Sequence, residues 1–268
     1  APVGAFSVYK GQSLIGDAIG HSTFPGIILA YMAFATRSPV ILLAGAIAAG
    51  AASYALIQLA HKDKRLGLDA NLAIFLSGFF GLGMALKSFI QGNPDYAGAS
   101  QAGLGTYIFG QAAYMLEADV LLIAVVSALV LTLLLLFYKE LKLFVFDAEY
   151  AEVVGLPCRL LNLLLLVMTI AVIGIGIKAV GAILISSFLI IPCVAANQWS
   201  NNFAHVLLLS SLIGAVSALV GTYISTLEQG MSTGPSIILV ASLIAFFSIV
   251  FGTKGILGRV LKRRRTHG

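Results

Sequence analysis

The sequence predicts an all-α membrane protein, a polytopic bundle of helices. Three observations carry that reading. Of the 268 residues, 59 % are hydrophobic and only 10 % are charged, where a soluble domain carries roughly 25 % charged residues. The mean hydropathy is +1.00, too high for a chain that covers itself with polar surface. Apolar runs near the ~20 residues a helix needs to cross a bilayer recur along the chain, and they lack the period-2 alternation of a transmembrane barrel strand.

Taken in order, spans are expected at about 14–35, 39–60, 69–91, 118–137, 160–177, 179–197, 203–224 and 235–252. Before them, GAFSVYKGQ reads as the tail of an apolar segment rather than the charged start of a signal peptide, so a truncated first helix is expected there. Two connections are long enough to hold structure of their own: 92–117, rich in Gly and Gln, and 138–159, which carries both signs of charge. Cys158 and Cys193 are too few for a disulfide framework and read as reduced, partly buried thiols.

Orientation follows from the basic residues, which are retained on the cytoplasmic side. Alternate loops divide cleanly. One set holds Lys10; Lys62, Lys64 and Arg65; Lys139, Lys142 and Arg159; and Lys254, Arg259, Lys262, Arg263, Arg264 and Arg265. The other holds Arg37 and Lys178, with Lys87 inside a span. The first set is therefore expected inside together with the C-terminus, and the loops near 36–38, 92–117 and 225–234 outside. The net charge of +5 has this topological explanation. The basic tail suits anionic lipid headgroups, and no basic-aromatic module is present to bind nucleic acid. Glu117, Asp119, Asp95 and Glu228 read as solvated charges at the outer margins.

Within this apolar setting, SLIGDAIGHSTFPG (13–26) stands out. An ionised group near mid-bilayer costs about 2.5–3.5 kcal/mol on insertion scales, so it is expected to face protein or water. Asp17 and His21 are one helical turn apart and share a face. A carboxylate and an imidazole on one face can ligate a divalent cation, and equally can form a metal-free hydrogen-bonded pair. As a ligand set they suit Mn²⁺, Fe²⁺ or Zn²⁺, because imidazole disfavours Mg²⁺ and Ca²⁺, and the thiolates that favour Cu⁺ are missing. Pro25 and Gly26 follow, where the lost amide and the close backbone approach predict a kink. A second interruption is expected at Pro192, with Ser186 and Ser187 before it serving helix packing ahead of pore lining.

The segment FDAEYAEVVGLPCR (146–159) opens on Asp147, a helix N-cap, and stops at Gly155-Leu156-Pro157. It reads as a short helix on the inner face. No GxxxxGK(S/T) occurs, so the chain has no phosphate-cradling P-loop, and no GxSxG or Cys-His arrangement points to an enzyme.

DAIGHSTFPG, FGQAAYMLEADV (109–120), FDAEYAEVVGLP, KAVGAILISSFLIIPCVAA (178–196) and STGPSIILVASLIAFFSIVFGTKGIL (232–257), in this order, resemble the permease subunits of bacterial ABC importers for manganese, zinc or iron. The resemblance covers nearly the whole chain beyond residue 10. It implies one permease domain over 1–268 in the bacterial plasma membrane, pairing with an identical or different second permease around a translocation path. It also implies an ATPase dimer inside, as separate non-permease chains, and an extracellular metal-binding solute-binding protein. Asp17 and His21 then fall on the family's metal-pathway motif. Residues 146–157, including Asp147, Ala148, Glu149, Ala151, Glu152 and Gly155, fall on the helix that couples to the ATPase. The ion is cargo, and no permanently bound cofactor is expected. YIFGQAA with LDANLAIFLSGFFGLGM looks closer to the manganese and iron branch than to the zinc branch. The rival classes are a self-sufficient secondary cation carrier or channel, and a membrane scaffold that transports nothing.

Overall fold

A computed structural model of the chain describes residues 1–36, 38–61, 67–93, 96, 106–228 and 231–257. They form α1 (Pro2–Tyr9), α2 (Ser13–Phe34), α3 (Pro39–His61), α4 (Leu68–Gly92), α5 (Thr106–Phe109), a 3-10 turn (Ala112–Tyr114), α6 (Glu117–Leu136), α7 (Tyr138–Phe146), α8 (Ala148–Val153), α9 (Cys158–Val180), α10 (Ile185–Asn197), α11 (Phe203–Ser225) and α12 (Thr233–Phe251). No strand occurs among the described residues.

Six helices are long and apolar enough to cross a membrane: α3, α4, α6, α9, α11 and α12. The two other expected spans differ in instructive ways. Helix α2 is 22 residues long and is not among the six; it carries Asp17, His21, Ser22 and Thr23. It is instead packed among α3, α4, α9 and α10, with Ile19, Phe24 and Ile28 fully buried. The span expected at 179–197 is not continuous. Helix α9 runs on to Val180, a turn follows, and α10 is a 13-residue helix beginning at Ile185. The break is at Gly181, whose φ of +97° is one that L side chains rarely adopt. Both α2 and α10 run on through Pro25 and Pro192. The segment read as a truncated first helix is α1.

Helix α9 joins two hydrophobic cores. Ile170, Ile173 and Ile177 face α2, α3 and α10 in one, while Leu161, Leu165 and Met168 pack with α1, α6, α7 and α11 in the other. It is the most buried of the six long apolar helices, and α4 is the least. Large apolar side chains such as Leu121, Leu135, Leu212, Leu219 and Phe246 point outward, the pattern of a surface solvated by hydrocarbon rather than by water.

The two ends of the bundle are tied differently. At the end carrying Lys10, Tyr9 donates to Asn197 Oδ1 at 3.0 Å, and Lys254 reaches both Asn197 Oδ1 and the Ser200 carbonyl. At the opposite end, α5 and the residues after it run along the α9–α10 break. The Ala182 amide donates to the Tyr107 carbonyl at 2.8 Å, and the Gln111 amide to the Lys178 carbonyl at 2.9 Å. Gly234 of α12 lies so close that a Cβ there would stand 2.0 Å from the Val180 carbonyl oxygen and 2.2 Å from that of Phe109. Among the described residues, Lys10, the α7 segment and Lys254 thus gather at one end, and Lys178 lies at the other.

Candidate functional site

A four-residue step turns an α-helix through about 400°, and α2 accordingly carries Asp17 and His21 on one face. His21 Nε2 lies 3.6 Å from Asp17 Oδ1, with the imidazole 13 % exposed and the carboxylate 31 %. From α10, Ser186 donates its hydroxyl to the same Oδ1 at 2.6 Å. That contact depends on the Gly181 break, which starts α10 beside α2: a Cβ on Gly20 of α2 would meet the Ile185 side chain at 3.2 Å. Ser186 thus reaches the candidate pair while also packing α10 against α2. Its sequence signal, a hydroxyl after a glycine, favours packing over pore lining and does not reveal this contact.

Phe80 of α4 holds the imidazole from the side, its ring 4.9 Å away and nearly perpendicular. His21 Nδ1 is buried and has no hydrogen-bond partner among the described residues. At the next residue, Ser22 Oγ lies 2.7 Å from Ser53 Oγ of α3, which ties the adjoining face of α2 to its neighbour. The arrangement suits a small cation. Two metal–ligand bonds of ~2.1 Å meeting at ~109° span ~3.4 Å, close to the observed oxygen–nitrogen separation of 3.6 Å. Among the described residues no cluster of three or more His, Cys, Asp or Glu side chains forms. The pair can supply only part of a coordination shell.

The structure gives Pro25 and Gly26 a packing role. A Cβ on Gly26 would stand 2.2 Å from the Gly45 carbonyl oxygen of α3, and a Cβ on Gly83 of α4 would stand 3.1 Å from Pro25 Cδ. Small residues here let α3 and α4 approach α2 on two sides, just beyond His21.

At the lysine-bearing end, Asp147 caps α8 by accepting the Tyr150 amide at 2.9 Å. The helix ends before Gly155, at φ +87°. Ala151 is fully buried, while Ala148, Glu149, Tyr150, Glu152, Val153, Val154 and Gly155 are exposed. The expected coupling segment thus presents a mixed apolar and acidic face outward.

Asp119 is a correction to the sequence reading. It is 3 % exposed, not solvated, and forms an ion pair with Lys178 of α9. It also accepts the Leu116 amide at 3.1 Å at the start of α6. Tyr107 is buried close by, and burial first and the Asp119 charge second push its pKa up to about 12. Glu117, Glu228 and His205 are exposed as expected. Arg37, Lys62, Lys64, Arg65, Asp95, the His61 side chain and the basic tail beyond 257 lie outside the described residues.

Comparison with known proteins places the chain in a family. The chain is 39 % identical over 264 residues to the zinc transport system membrane protein TroC of Treponema pallidum, covering 98 % of this chain and 88 % of that one. It is 38 % identical to the manganese transport system membrane protein MntC of Bacillus subtilis, spanning 98 % of itself but 61 % of the longer relative. Among solved structures, PsaBC from Streptococcus pneumoniae in complex with Fab matches 98 % of this chain and 89 % of its own, with a TM-score of 0.85 and 28 % identity. The profile of the ABC 3 transport family matches residues 1–252, and the chain belongs to that family.

Proposed function

We propose that the chain is the membrane-spanning subunit of an ATP-driven importer that carries a divalent transition-metal ion into the cytoplasm, manganese ahead of zinc and iron. The observation that carries this reading is the Asp17–His21 pair, 3.6 Å apart on a helix packed among α3, α4, α9 and α10, in a chain of the ABC 3 transport family. Relatives named for zinc and for manganese are about equally similar, and one carboxylate with one imidazole suits Mn²⁺, Fe²⁺ and Zn²⁺ alike. The preference for manganese rests on the resemblance of YIFGQAA and LDANLAIFLSGFFGLGM to the manganese and iron branch.

In this reading Asp17 and His21 hold the cation in transit, and Ser186 orients the carboxylate. Two protein ligands per chain leave coordination positions to water or to a second permease copy, and such a site is weak enough to release its ion. The second copy, identical or different, covers the face where Asp17 remains part-exposed and α4 is least buried. The lysine-bearing end is cytoplasmic, along with the C-terminus. There α8 meets a separate ATPase dimer, while an extracellular solute-binding protein delivers the metal at the other end. ATP is hydrolysed on the partner chains, not here.

The test is uptake of radiolabelled Mn²⁺ by cells carrying the wild type or Asp17→Ala, with unlabelled Zn²⁺ and Fe²⁺ as competitors. The expected result is loss of uptake in the variant at unchanged expression. Undiminished uptake would remove the site assignment, and strong competition by Zn²⁺ over unlabelled Mn²⁺ would change the ion.

A further inference from the structure

The turn between α1 and α2 is a junction between the α7–α8 segment and the helix that carries Asp17 and His21. It is closed by its own backbone: the Gln12 amide donates to the Ser7 carbonyl at 2.9 Å and the Gly11 amide to that of Val8 at 3.0 Å. Helix α2 starts at Ser13, so Asp17 lies ~6 Å along the helix from its first residue at 1.5 Å per residue, and one continuous helix joins the turn to the pair.

From this turn two side chains reach into neighbouring elements. The Lys10 ammonium hydrogen-bonds Asn162 Oδ1 of α9 and sits 4.4 Å from the centroid of the Phe144 ring of α7. Asn162 passes the contact on, donating to the Tyr54 hydroxyl of α3 at 3.3 Å. Tyr9 packs its ring against Phe146 of α7 at 5.3 Å and Phe203 of α11 at 5.1 Å. Helix α7 leads into α8 through a single residue, Asp147, which closes one helix and caps the next. Burial brings the Lys10 pKa down to about 8, so at neutral pH the amine still carries its charge to the ring.

We propose that Lys10 is a positioning residue that transmits displacement of α7–α8 to α2 and its Asp17–His21 pair, through the Phe144 ring on one side and Asn162 on the other. This rests on the reading of α8 as the ATPase-facing helix. A lysine serves because one group meets both partners: its N–H groups fit the amide oxygen, and its charge is attracted to the face of the ring. Arginine retains both capacities, and methionine retains neither.

The experiment uses the assembled transporter in proteoliposomes, with its ATPase and solute-binding partners, and reads Mn²⁺ imported per ATP hydrolysed. Lys10→Met is expected to hydrolyse ATP while importing about 2- to 30-fold less Mn²⁺ per ATP, the range for a residue along a coupling network. Lys10→Arg is expected to restore the ratio, and Asn162→Leu to lower it with Lys10 in place, which keeps the test alive if Lys10→Met does not assemble. A purely structural role would lower hydrolysis and import together, and an unchanged ratio in Lys10→Met or Asn162→Leu overturns the proposal. Absence of ATP-driven Mn²⁺ uptake in the wild type would instead overturn the importer reading, and this inference with it.

Discussion

Replacing Gly26 with alanine tests whether the α2–α3 contact holds the site helix in place. The added methyl would stand 2.2 Å from the Gly45 carbonyl oxygen and 2.5 Å from the Ala49 methyl, where ordinary contact begins at 3.4 Å. Neither neighbour is the flexible end of a side chain, so α2 and α3 must part by about 1 Å. Overpacking of this kind costs about 1–3 kcal/mol, or roughly a 5- to 150-fold loss in the folded-to-unfolded ratio. Gly16, on the same helix, is the control, because a Cβ there meets nothing within 4 Å. Alanine at that position gains about 0.5–1 kcal/mol of helix preference. Thermal unfolding of the purified chain in detergent reads the difference. Gly26→Ala is expected to melt roughly 2–12 °C below the wild type at about 2–4 °C per kcal/mol, and Gly16→Ala at or above it. If the two alanine variants melt together, the close crossing is not what holds α2.

Two other expectations follow from the polar contacts. Ser186→Ala removes the 2.6 Å donor to Asp17. Hydrogen bonds to charged groups contribute about 1.5–3 kcal/mol, and the part-exposed carboxylate places this one at the low end. The Mn²⁺ concentration for half-maximal uptake should shift by about 10-fold or less, with melting lowered by no more than about 3–6 °C; an unshifted uptake curve would deny Ser186 any part in the site. Asp119→Leu or Lys178→Met alone strands the other member of a largely buried pair, which costs up to about 3–5 kcal/mol, whereas the double variant is expected to recover most of the loss. Thermal melts of all four combinations check this, and additive single effects would refute it.

Much of this architecture can be read from composition. Six long apolar helices announce themselves because length and composition alone mark a helix able to cross a bilayer. The spacing of Asp17 and His21 suffices to set them on one face, and Asp147 and Gly155 mark the ends of α8 through local chemistry. What escapes the sequence depends on partners distant along the chain. Ser186 meets Asp17 across 169 positions, and Asp119 meets Lys178 across 59. Neither periodicity nor hydropathy encodes such encounters. Gly181 looked like one glycine among 28, and its place beside Ile108 and Phe109 appears only once α5 is laid along it. Pro25 and Gly26 suggested a kink because their local effect on a lone helix is legible, while the glycines that receive them, Gly45 and Gly83, lie on other helices.

The polarity of α2 also bears on how the protein is made. A segment holding an aspartate, a histidine and an internal proline gains little by leaving the translocon alone, since each ionisable group opposes partition into the lipid. Helix α3, which follows after a connection of only four residues, supplies the surface that α2 lacks. Biogenesis therefore favours joint release of α2 and α3 as a helical hairpin, and the residues that would move the ion are also those that make their helix depend on a neighbour to enter the bilayer.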